Sequence, residues 1–369
     1  MLHNLKKKLQ GLFKLSAYNF FFLIYGRVNE IQKAKKHKNI NIKKIKLGVG
    51  FIYNIYVITK GSLYTDRIND TAVIVNNKLV DRASFQLRNN KNSKCNKNIV
   101  LRIGTPRFRE KINGTVLSLL SGGAANSNYF HWIYDVLPRL HIAHKYLKKE
   151  KIDYYLFPSL EKRFQKQSLD LLGIPVEKRL TSKKTRHLKC DKLIVTDHPY
   201  VVKNNPIKEI QNIPSWILKW LKKNLIKNKK NSNKFPKRIY IDRKDSESNH
   251  RHLRSIINEV ELKKFLKEKN FKSICLSDYD FEDQIKLFYN TKFITGLHGA
   301  GFANFVFCKP KTKIIEFKPD KAGPMFANLA KNNKLLYDSF DEKPIKHSYN
   351  QMGHIKVDIS KLEKKLLKY

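Results

Sequence analysis

The stretch Thr295-Gly296-Leu297-His298-Gly299-Ala300-Gly301-Phe302-Ala303-Asn304, followed by Lys313-Ile314-Ile315-Glu316-Phe317, decides how the fold is predicted. An apolar, β-prone run ends at residues with small side chains, where a short helix is predicted to begin. The first N–H groups of a helix have no partner inside it, so they can bind an anion. Glycine at 299 and 301 can adopt positive φ and let a phosphate approach the backbone. The stretch therefore predicts a strand, a phosphate-binding turn and a helix. Alternatively, the glycines serve only close packing.

Strands and helices alternate on both sides of this turn. The pattern predicts strands at 238–241, 273–276, 293–296 and 314–317, and helices at 259–269, 281–289 and 324–331. Such alternation predicts a parallel sheet covered by helices on both faces, which is typical of nucleotide-binding domains. Glu316, at the end of the last of these strands, offers a carboxylate suited to a ribose diol.

A second informative stretch is Asn128-Tyr129-Phe130-His131-Trp132-Ile133-Tyr134-Asp135-Val136-Leu137-Pro138-Arg139-Leu140. His131 and Asp135 are four residues apart on a predicted helix, so their side chains share one face. Either can act as a general base, and either can orient the other. The alternative is a half-buried structural histidine with a surface acid. Asn128 is predicted to be an N-cap or a ligand.

Two arginines are candidates for binding a diphosphate, although an arginine in a chain this basic can equally be a solvated surface residue. Arg243 follows the strand predicted at 238–241, at the end of the strand where open parallel sheets bind ligands, and Arg254 follows eleven residues later. Guanidinium groups pair bidentately with phosphates and stay charged. His298 is predicted to contact a diphosphate or to hold the turn, and Asn304 to reach the nucleotide or to support the loop.

These segments, in this order, resemble glycosyltransferase family 61 over about residues 115–320. The family pattern of an aromatic pair, His-Trp, an acid and Leu-Pro-Arg matches residues 129–139. One departure is Ser255, where the family often has a second arginine, so either Arg251 substitutes or one phosphate contact is missing. The resemblance implies His131 and Asp135 as catalytic residues, and as nucleotide-sugar-binding residues Arg243, Arg254, His298, Gly299, Ala300, Gly301, Asn304 and Glu316.

The resemblance also implies an α/β fold of the GT-B architecture, with two Rossmann-like domains facing across a cleft and a C-terminal helix packing back. We expect an N-terminal segment (1–47), an acceptor-side domain (48–226), a nucleotide-sugar-binding domain (236–345) and a C-terminal helix (346–369). We expect inverting transfer of a hexosyl or pentosyl group, and metal independence because no Asp-x-Asp flanked by strand signals occurs where a metal-dependent transferase would need it. The donor is a nucleotide-sugar, most often a UDP-sugar, and the acceptor is a glycan or glycoconjugate, as in polysaccharide biosynthesis. No cofactor and no metal site are predicted.

Charge suggests other functions more weakly. The formal net charge is +44, but the lysines are spread along all 369 residues without an RNA-binding signature, so no specific nucleic acid is expected. A non-enzymatic basic protein that binds nucleic acid or acidic polysaccharide is favoured by charge alone. An NAD-type oxidoreductase is disfavoured because no G-x-G-x-x-G follows the strand at 238–241.

The four cysteines are isolated, which favours a reducing compartment and excludes a zinc site of the C-x-x-C type.

The N-terminal segment predicts an amphipathic helix. Leu5, Leu9 and Leu12 recur at helical spacing among lysines, and the apolar run 17–25 is shorter than the ~20 residues that a membrane-spanning helix needs. No signal peptide is predicted. The helix is expected either to lie on an anionic membrane or to pack on the protein. The predicted location is cytoplasmic, or peripheral on the inner face of the membrane.

Overall fold

The computed structural model describes residues 2–67, 70–84, 87–88, 91–92, 95–120, 127–147, 152–203, 205–227, 234–246, 253–349 and 352–367. The chain forms two compact units, Met1–Gln165 with Gly173–Glu209, and Lys166–Leu172 with Ile210–Tyr369. Each unit has its own large sheet, so the predicted α/β class is confirmed. The domain limits given by the sequence stay predictions, and residues 228–233, in the predicted linker, lie outside the described residues.

Among the described residues of the first unit, ten strands form a mixed sheet. The strands of this unit are β1 Glu30–Gln32, β2 Ile40–Lys46, β3 Ile52–Thr59, β4 Ser62–Arg67, β5 Asp70–Val75, β6 Lys78–Val80, β7 Leu87–Arg88, β8 Lys91–Asn92, β9 Glu110–Ser118, β10 Tyr154–Phe157, β11 Arg179–Thr181 and β12 His187–Thr196. The order is β1-β6-β5-β4-β12-β9-β10-β11, with β3 beside β12 and β2 beside β3, while β7 and β8 form a separate hairpin.

Only part of this sheet is parallel. Strands β12, β9, β10 and β11 run parallel, whereas β2 to β5 pair antiparallel with their sheet neighbours. Asn76 and Asn77 join β5 to β6 with φ of 46° and 56°, the left-handed pair that a two-residue hairpin turn requires. A turn this short forces antiparallel pairing, since a parallel connection needs a long crossover. The sheet therefore differs from the Rossmann-like sheet predicted for this part of the chain.

The second unit contains a five-stranded parallel sheet. Its strands, with a small hairpin, are β13 Arg238–Asp242, β14 Lys272–Cys275, β15 Phe293–Leu297, β16 Lys313–Pro319, β17 Leu336–Glu342, β18 Lys346–Tyr349 and β19 Met352–His354. The order β14-β13-β15-β16-β17 confirms the parallel sheet predicted from the alternating pattern. The winding direction reverses between β13 and β15, and open α/β sheets bind ligands at the carboxyl ends of such strands.

The α-helices among the described residues are α1 Leu2–Tyr25, α2 Val100–Ile103, α3 Tyr129–His131, α4 Leu137–Tyr146, α5 Arg163–Leu171, α6 Pro206–Glu209, α7 Ser215–Leu225, α8 Glu259–Glu268, α9 Phe281–Asn290, α10 Met325–Asn332 and α11 Ile359–Leu366. Leu362 and Leu366 of α11 are buried with Ile315 and Phe317 in the core of the second unit. The C-terminal helix is thus part of this unit, whereas it was expected to pack across the first domain.

Candidate active site

Asn128 begins the helical segment that carries His131. Its side-chain oxygen accepts hydrogen bonds from the backbone N–H groups of Phe130 (2.9 Å) and His131 (3.3 Å). These bonds satisfy two donors that the first helical turn leaves unpaired. Of the two roles predicted for Asn128, the structure therefore shows the N-cap.

The helix widens directly after His131. Residues Trp132–Val136 form a π-helical turn, in which the N–H of Leu137 donates to the carbonyl of Trp132. Pro138 follows and has no N–H with which to continue an α-helical ladder, which favours a wider turn before it. All five residues of this turn are buried, including Asp135. Turns of this kind are frequent at functional sites.

His131 and Asp135 form a hydrogen-bonded pair. Nδ1 of His131 lies 2.8 Å from Oδ2 of Asp135, and the side chain of His131 is 20% exposed whereas that of Asp135 is fully buried. A carboxylate only accepts, so Nδ1 carries the proton and Nε2 keeps the lone pair. Burial acts to lower the pKa of His131, but the charge of Asp135 and its hydrogen bond outweigh burial and raise it. Because only the side chain of His131 is partly exposed, the histidine is the member of the pair that can be reached from solvent.

His198 is a third member of this cluster, and the sequence analysis did not identify it. Its Nδ1 accepts from the backbone N–H groups of Tyr200 (3.3 Å) and Val201 (3.1 Å). The ring proton of the neutral form is then on Nε2, which lies 3.5 Å from Oδ2 of Asp135. Burial lowers the pKa of His198, so the neutral form is favoured. Burial alone would raise the pKa of Asp135, but His131 and His198 hold it well below its usual range.

Further buried polar groups surround this cluster. Arg139, 1% exposed, donates from Nη1 to the carbonyl of Thr196 (3.0 Å), and burial lowers its pKa to about 10. Asp197 accepts from the backbone N–H (2.7 Å) and side-chain amide (2.8 Å) of Asn54. Residues 197–200 directly follow β12, and the position of polar, ionisable residues just after a strand is the signal that could have revealed His198.

The second unit places Arg243 and Arg254 at the carboxyl end of its sheet. Both line a cavity of about 210 Å³ together with Asp242, Ser255 and Glu259. Burial and the neighbouring charge of Arg243 lower the pKa of Arg254 to about 9. Two guanidinium groups this close repel each other, and an anion between them removes the repulsion. This geometry suits a diphosphate. Arg251, the residue considered as a substitute for a missing arginine, lies outside the described residues.

The sequence suggested that the glycines at 299 and 301, in the turn after β15, adopt left-handed φ angles, but neither does so in the structure. Gly299 has φ of 171°, an extended conformation, and Gly301 also lies outside the left-handed region. At Gly301 the requirement is steric, because a Cβ atom would lie 3.1 Å from Cδ1 of Leu276. At Gly299 a Cβ atom would make an ordinary 3.6 Å contact with the guanidinium of Arg243. Gly299, Ala300 and Gly301 remain partly exposed at the start of a 3₁₀-helix, Ala300–Phe307.

His298, Glu316 and Tyr337 form a hydrogen-bonded chain next to this turn, in which His298 and Glu316 are buried. Nδ1 of His298 lies 2.5 Å from Oε1 of Glu316, and the hydroxyl of Tyr337 donates to Oε2 of Glu316. His298 and Glu316 are 2% and 1% exposed. The main-chain carbonyl of His298 faces Nη1 of Arg243 at 3.5 Å. The ribose role predicted for Glu316 would require these bonds to open, and it stays a prediction.

Asn304 and Ser255, which the sequence analysis also named, make hydrogen bonds near the turn and the arginine cavity. Asn304 is buried and its side-chain amide donates to the carbonyl of Gly301 (3.2 Å). Oγ of Ser255 lies 2.6 Å from Nδ1 of His354 on β19, a contact that the sequence did not indicate. Throughout the described ranges, no group of three or more His, Cys, Asp or Glu is arranged to hold a metal ion.

Comparison with protein families identifies the chain. Residues 129–315, about half of the sequence, match the model of Glycosyltransferase 61. The chain belongs to glycosyltransferase family 61. The match begins two residues before His131 and ends one residue before Glu316, so it includes the His131–Asp135 pair and both arginines. No curated protein matches the sequence of this glycosyltransferase.

Proposed function

We propose that this glycosyltransferase moves a sugar from a nucleotide-sugar donor, a UDP-sugar, to a hydroxyl group of a glycan or glycoconjugate. The transfer proceeds with inversion and without a metal ion. The observation that carries the proposal is the partly exposed side chain of His131, 20% accessible, whose Nδ1 lies 2.8 Å from the buried carboxylate of Asp135. Transfer with inversion needs one base, and a histidine with a free Nε2 lone pair can supply it.

The proposed reaction is a single displacement. His131 takes the proton of the acceptor hydroxyl on Nε2, and the oxygen forms a bond to the anomeric carbon of the donor sugar. The bond from that carbon to the diphosphate breaks, and the electron pair leaves with the nucleoside diphosphate. Asp135 accepts the Nδ1 proton in a hydrogen bond and stabilises the imidazolium that forms.

Arg243 and Arg254 are proposed to bind the diphosphate of the donor. Their cavity lies at the carboxyl end of β13, beside the winding reversal of the sheet. The guanidinium groups neutralise the negative charge that grows on the leaving group, which is the chemistry that a metal ion supplies in other transferases. The GT-B architecture stays part of this proposal. The doubly wound sheet of the second unit and the parallel strands β12, β9, β10 and β11 of the first support it.

Nucleotide binding tests the proposal against its rivals. We expect UDP at 100 times its dissociation constant to stabilise the protein by about 2.7 kcal/mol in thermal unfolding, and GDP, CMP, NAD and an oligonucleotide to stabilise it less. Stabilisation by NAD alone would favour an oxidoreductase. Stabilisation by the oligonucleotide alone would favour a basic binding protein. Release of UDP from a UDP-sugar in the presence of acceptor, with inversion seen by NMR, completes the test.

We further propose that α1 attaches the protein to an anionic membrane surface. Its residues 5–16 are exposed, and they include Leu9, Leu12 and Phe13 at 58%, 63% and 76%. The apolar residues Leu5, Leu9 and Leu12 recur on one face, Lys7 and Lys14 lie opposite, and α1 contains no acidic residue. In the described part of the chain, no helix is both long and apolar enough to cross a membrane.

Replacing Leu9 and Leu12 together with serine is expected to weaken sedimentation with phosphatidylglycerol vesicles at least ~10-fold, since each buried leucine contributes about 1.5–3 kcal/mol. Transfer to a soluble acceptor should not change. Val176 and Val260 are exposed apolar residues outside α1 (70% and 86%), and their replacement with serine is the matched control. Equal vesicle binding by the Leu9 and Leu12 variant and the control would contradict the proposal.

A further inference from the structure

A cavity in the first unit, outside the candidate active site, combines cations with buried polar groups. Its volume is about 120 Å³, room for several water molecules or one small anion. Ser62, Thr105 and His187 are among its buried lining residues, and Lys60, Arg109 and Lys189 stand at its rim. None of the described residues that line it is acidic.

The rim cations come from three different elements. Lys60 lies in the turn between β3 and β4, Lys189 on β12 is paired directly with Ser62 on β4, and Arg109 precedes β9. The N–H of Arg109 donates to the hydroxyl of Tyr25 (2.9 Å), and its guanidinium lies 4.5 Å from the centre of the Tyr25 ring. These contacts fix Arg109 near the cavity. The three cations therefore come together at one cavity, whereas the other lysines of this chain are spread along its length.

His187 is held in place within the cavity. Its Nδ1 donates to the carbonyl of Arg107 (3.0 Å), and its ring packs edge-on against Tyr25 at 5.2 Å. Burial, and then the charge of Arg109, lower the pKa of His187 to about 4, although the bond to Arg107 acts in the opposite direction. Since burial is the largest cause, the imidazole of His187 stays neutral and adds no charge of its own to the cavity.

We propose that this cavity binds a phosphate group. Phosphate oxygens accept hydrogen bonds from lysine, arginine and hydroxyl groups, and the cavity presents all three. The phosphate can be a free ion or ester in solution, or the headgroup of a lipid. Tyr25, which lines the cavity, is the last residue of α1, and the neighbouring Phe108 is 74% exposed and packs on Phe21 of α1 at 5.2 Å. A lipid headgroup in the cavity would thus lie beside apolar side chains.

The test compares three variants of the full chain. The first, Lys60→Gln with Lys189→Gln, removes two rim charges. The second, Thr105→Val, removes a buried hydroxyl and changes no charge. The matched control is Lys35→Gln with Lys36→Gln, two exposed lysines of the same unit outside the cavity, which gives the same change in net charge as the first. Circular dichroism and thermal unfolding establish that each variant folds.

One arm measures binding of inorganic phosphate by titration calorimetry. The other measures binding to phosphatidylcholine vesicles that contain phosphatidic acid, compared with vesicles that contain phosphatidylglycerol at equal surface charge. We expect the rim variant to lose ~10-fold or more of its binding affinity in at least one arm. Thr105→Val should lose less affinity in the same arm, while the control matches the wild type.

Loss of affinity for inorganic phosphate alone identifies a soluble phosphate. Loss of a preference for phosphatidic acid identifies a lipid headgroup. If the rim variant and Thr105→Val bind like the control in both arms, the proposal is wrong.

Discussion

His131→Ala is expected to lower the rate of sugar transfer ~10²- to 10⁴-fold while UDP affinity stays within about twofold, because a missing general base affects the chemical step and not donor binding. The expectation follows from the 2.8 Å bond between Nδ1 of His131 and Oδ2 of Asp135, which leaves Nε2 as the basic atom. The measurement is single-turnover transfer, with UDP affinity determined by calorimetry. His144→Ala, on the following helix α4, is the matched control and should transfer at the wild-type rate.

The pH dependence distinguishes a base from a structural histidine. The base acts only when deprotonated, so the rate should rise with pH through the pKa of His131, which Asp135 raises above the ordinary histidine value despite burial. Asp135→Asn removes that carboxylate and leaves burial, which acts to lower the pKa. The midpoint of the profile should therefore move to lower pH, together with a fall in the plateau rate. Near-wild-type transfer by His131→Ala with normal UDP affinity would place the base elsewhere.

Glu316→Ala is expected to destabilise the second unit by several kcal/mol. The substitution leaves the buried ring of His298 and the hydroxyl of Tyr337 without their acceptor, at about 1–3 kcal/mol for each unsatisfied group, and it adds a cavity. Chemical unfolding measures the loss. Tyr337→Phe removes one of these bonds and should cost about 1 kcal/mol, and Glu316→Gln keeps the volume and should lie between the two.

The same variants test the ribose role predicted for Glu316. If Glu316 binds the ribose diol, the wild type prefers UDP to 2′-deoxy-UDP, and the folded Glu316→Gln variant loses that preference. If it supports His298 and the turn, the preference is unchanged and stability alone falls. We expect the second result, because both carboxylate oxygens already accept hydrogen bonds within the unit.

Local sequence patterns predicted four of the five strands of the second sheet, and β17 was not predicted. Strands β13, β14, β15 and β16 occur where alternating apolar strands and amphipathic helices predicted them, and Arg243 follows β13 as expected. The N-cap role of Asn128 was also readable, since a capping side chain acts on residues two and three positions away. Each of these features depends on neighbours within a few residues.

Local patterns gave a wrong prediction where a side chain makes a hydrogen bond with the backbone that competes with strand pairing. The apolar, β-branched residues at 99–103 predict a strand, yet Val100–Ile103 is a short helix. The side chain of Asn98 accepts from the N–H of Val100 (3.2 Å) and satisfies a donor that a strand would pair with its neighbour.

The sequence by itself determined the family, most of the parallel sheet of the second unit and the face shared by His131 and Asp135, because these depend on spacing along the chain. Only the tertiary structure decided that Asp135 is fully buried while His131 is partly exposed, and that His198 joins them from a loop 63 residues beyond Asp135. It also decided that Glu316 is enclosed by His298 and Tyr337. Burial and contacts between distant segments arise when strands pair in the sheet, and helical or strand periodicity indicates which face a residue is on but not what covers that face.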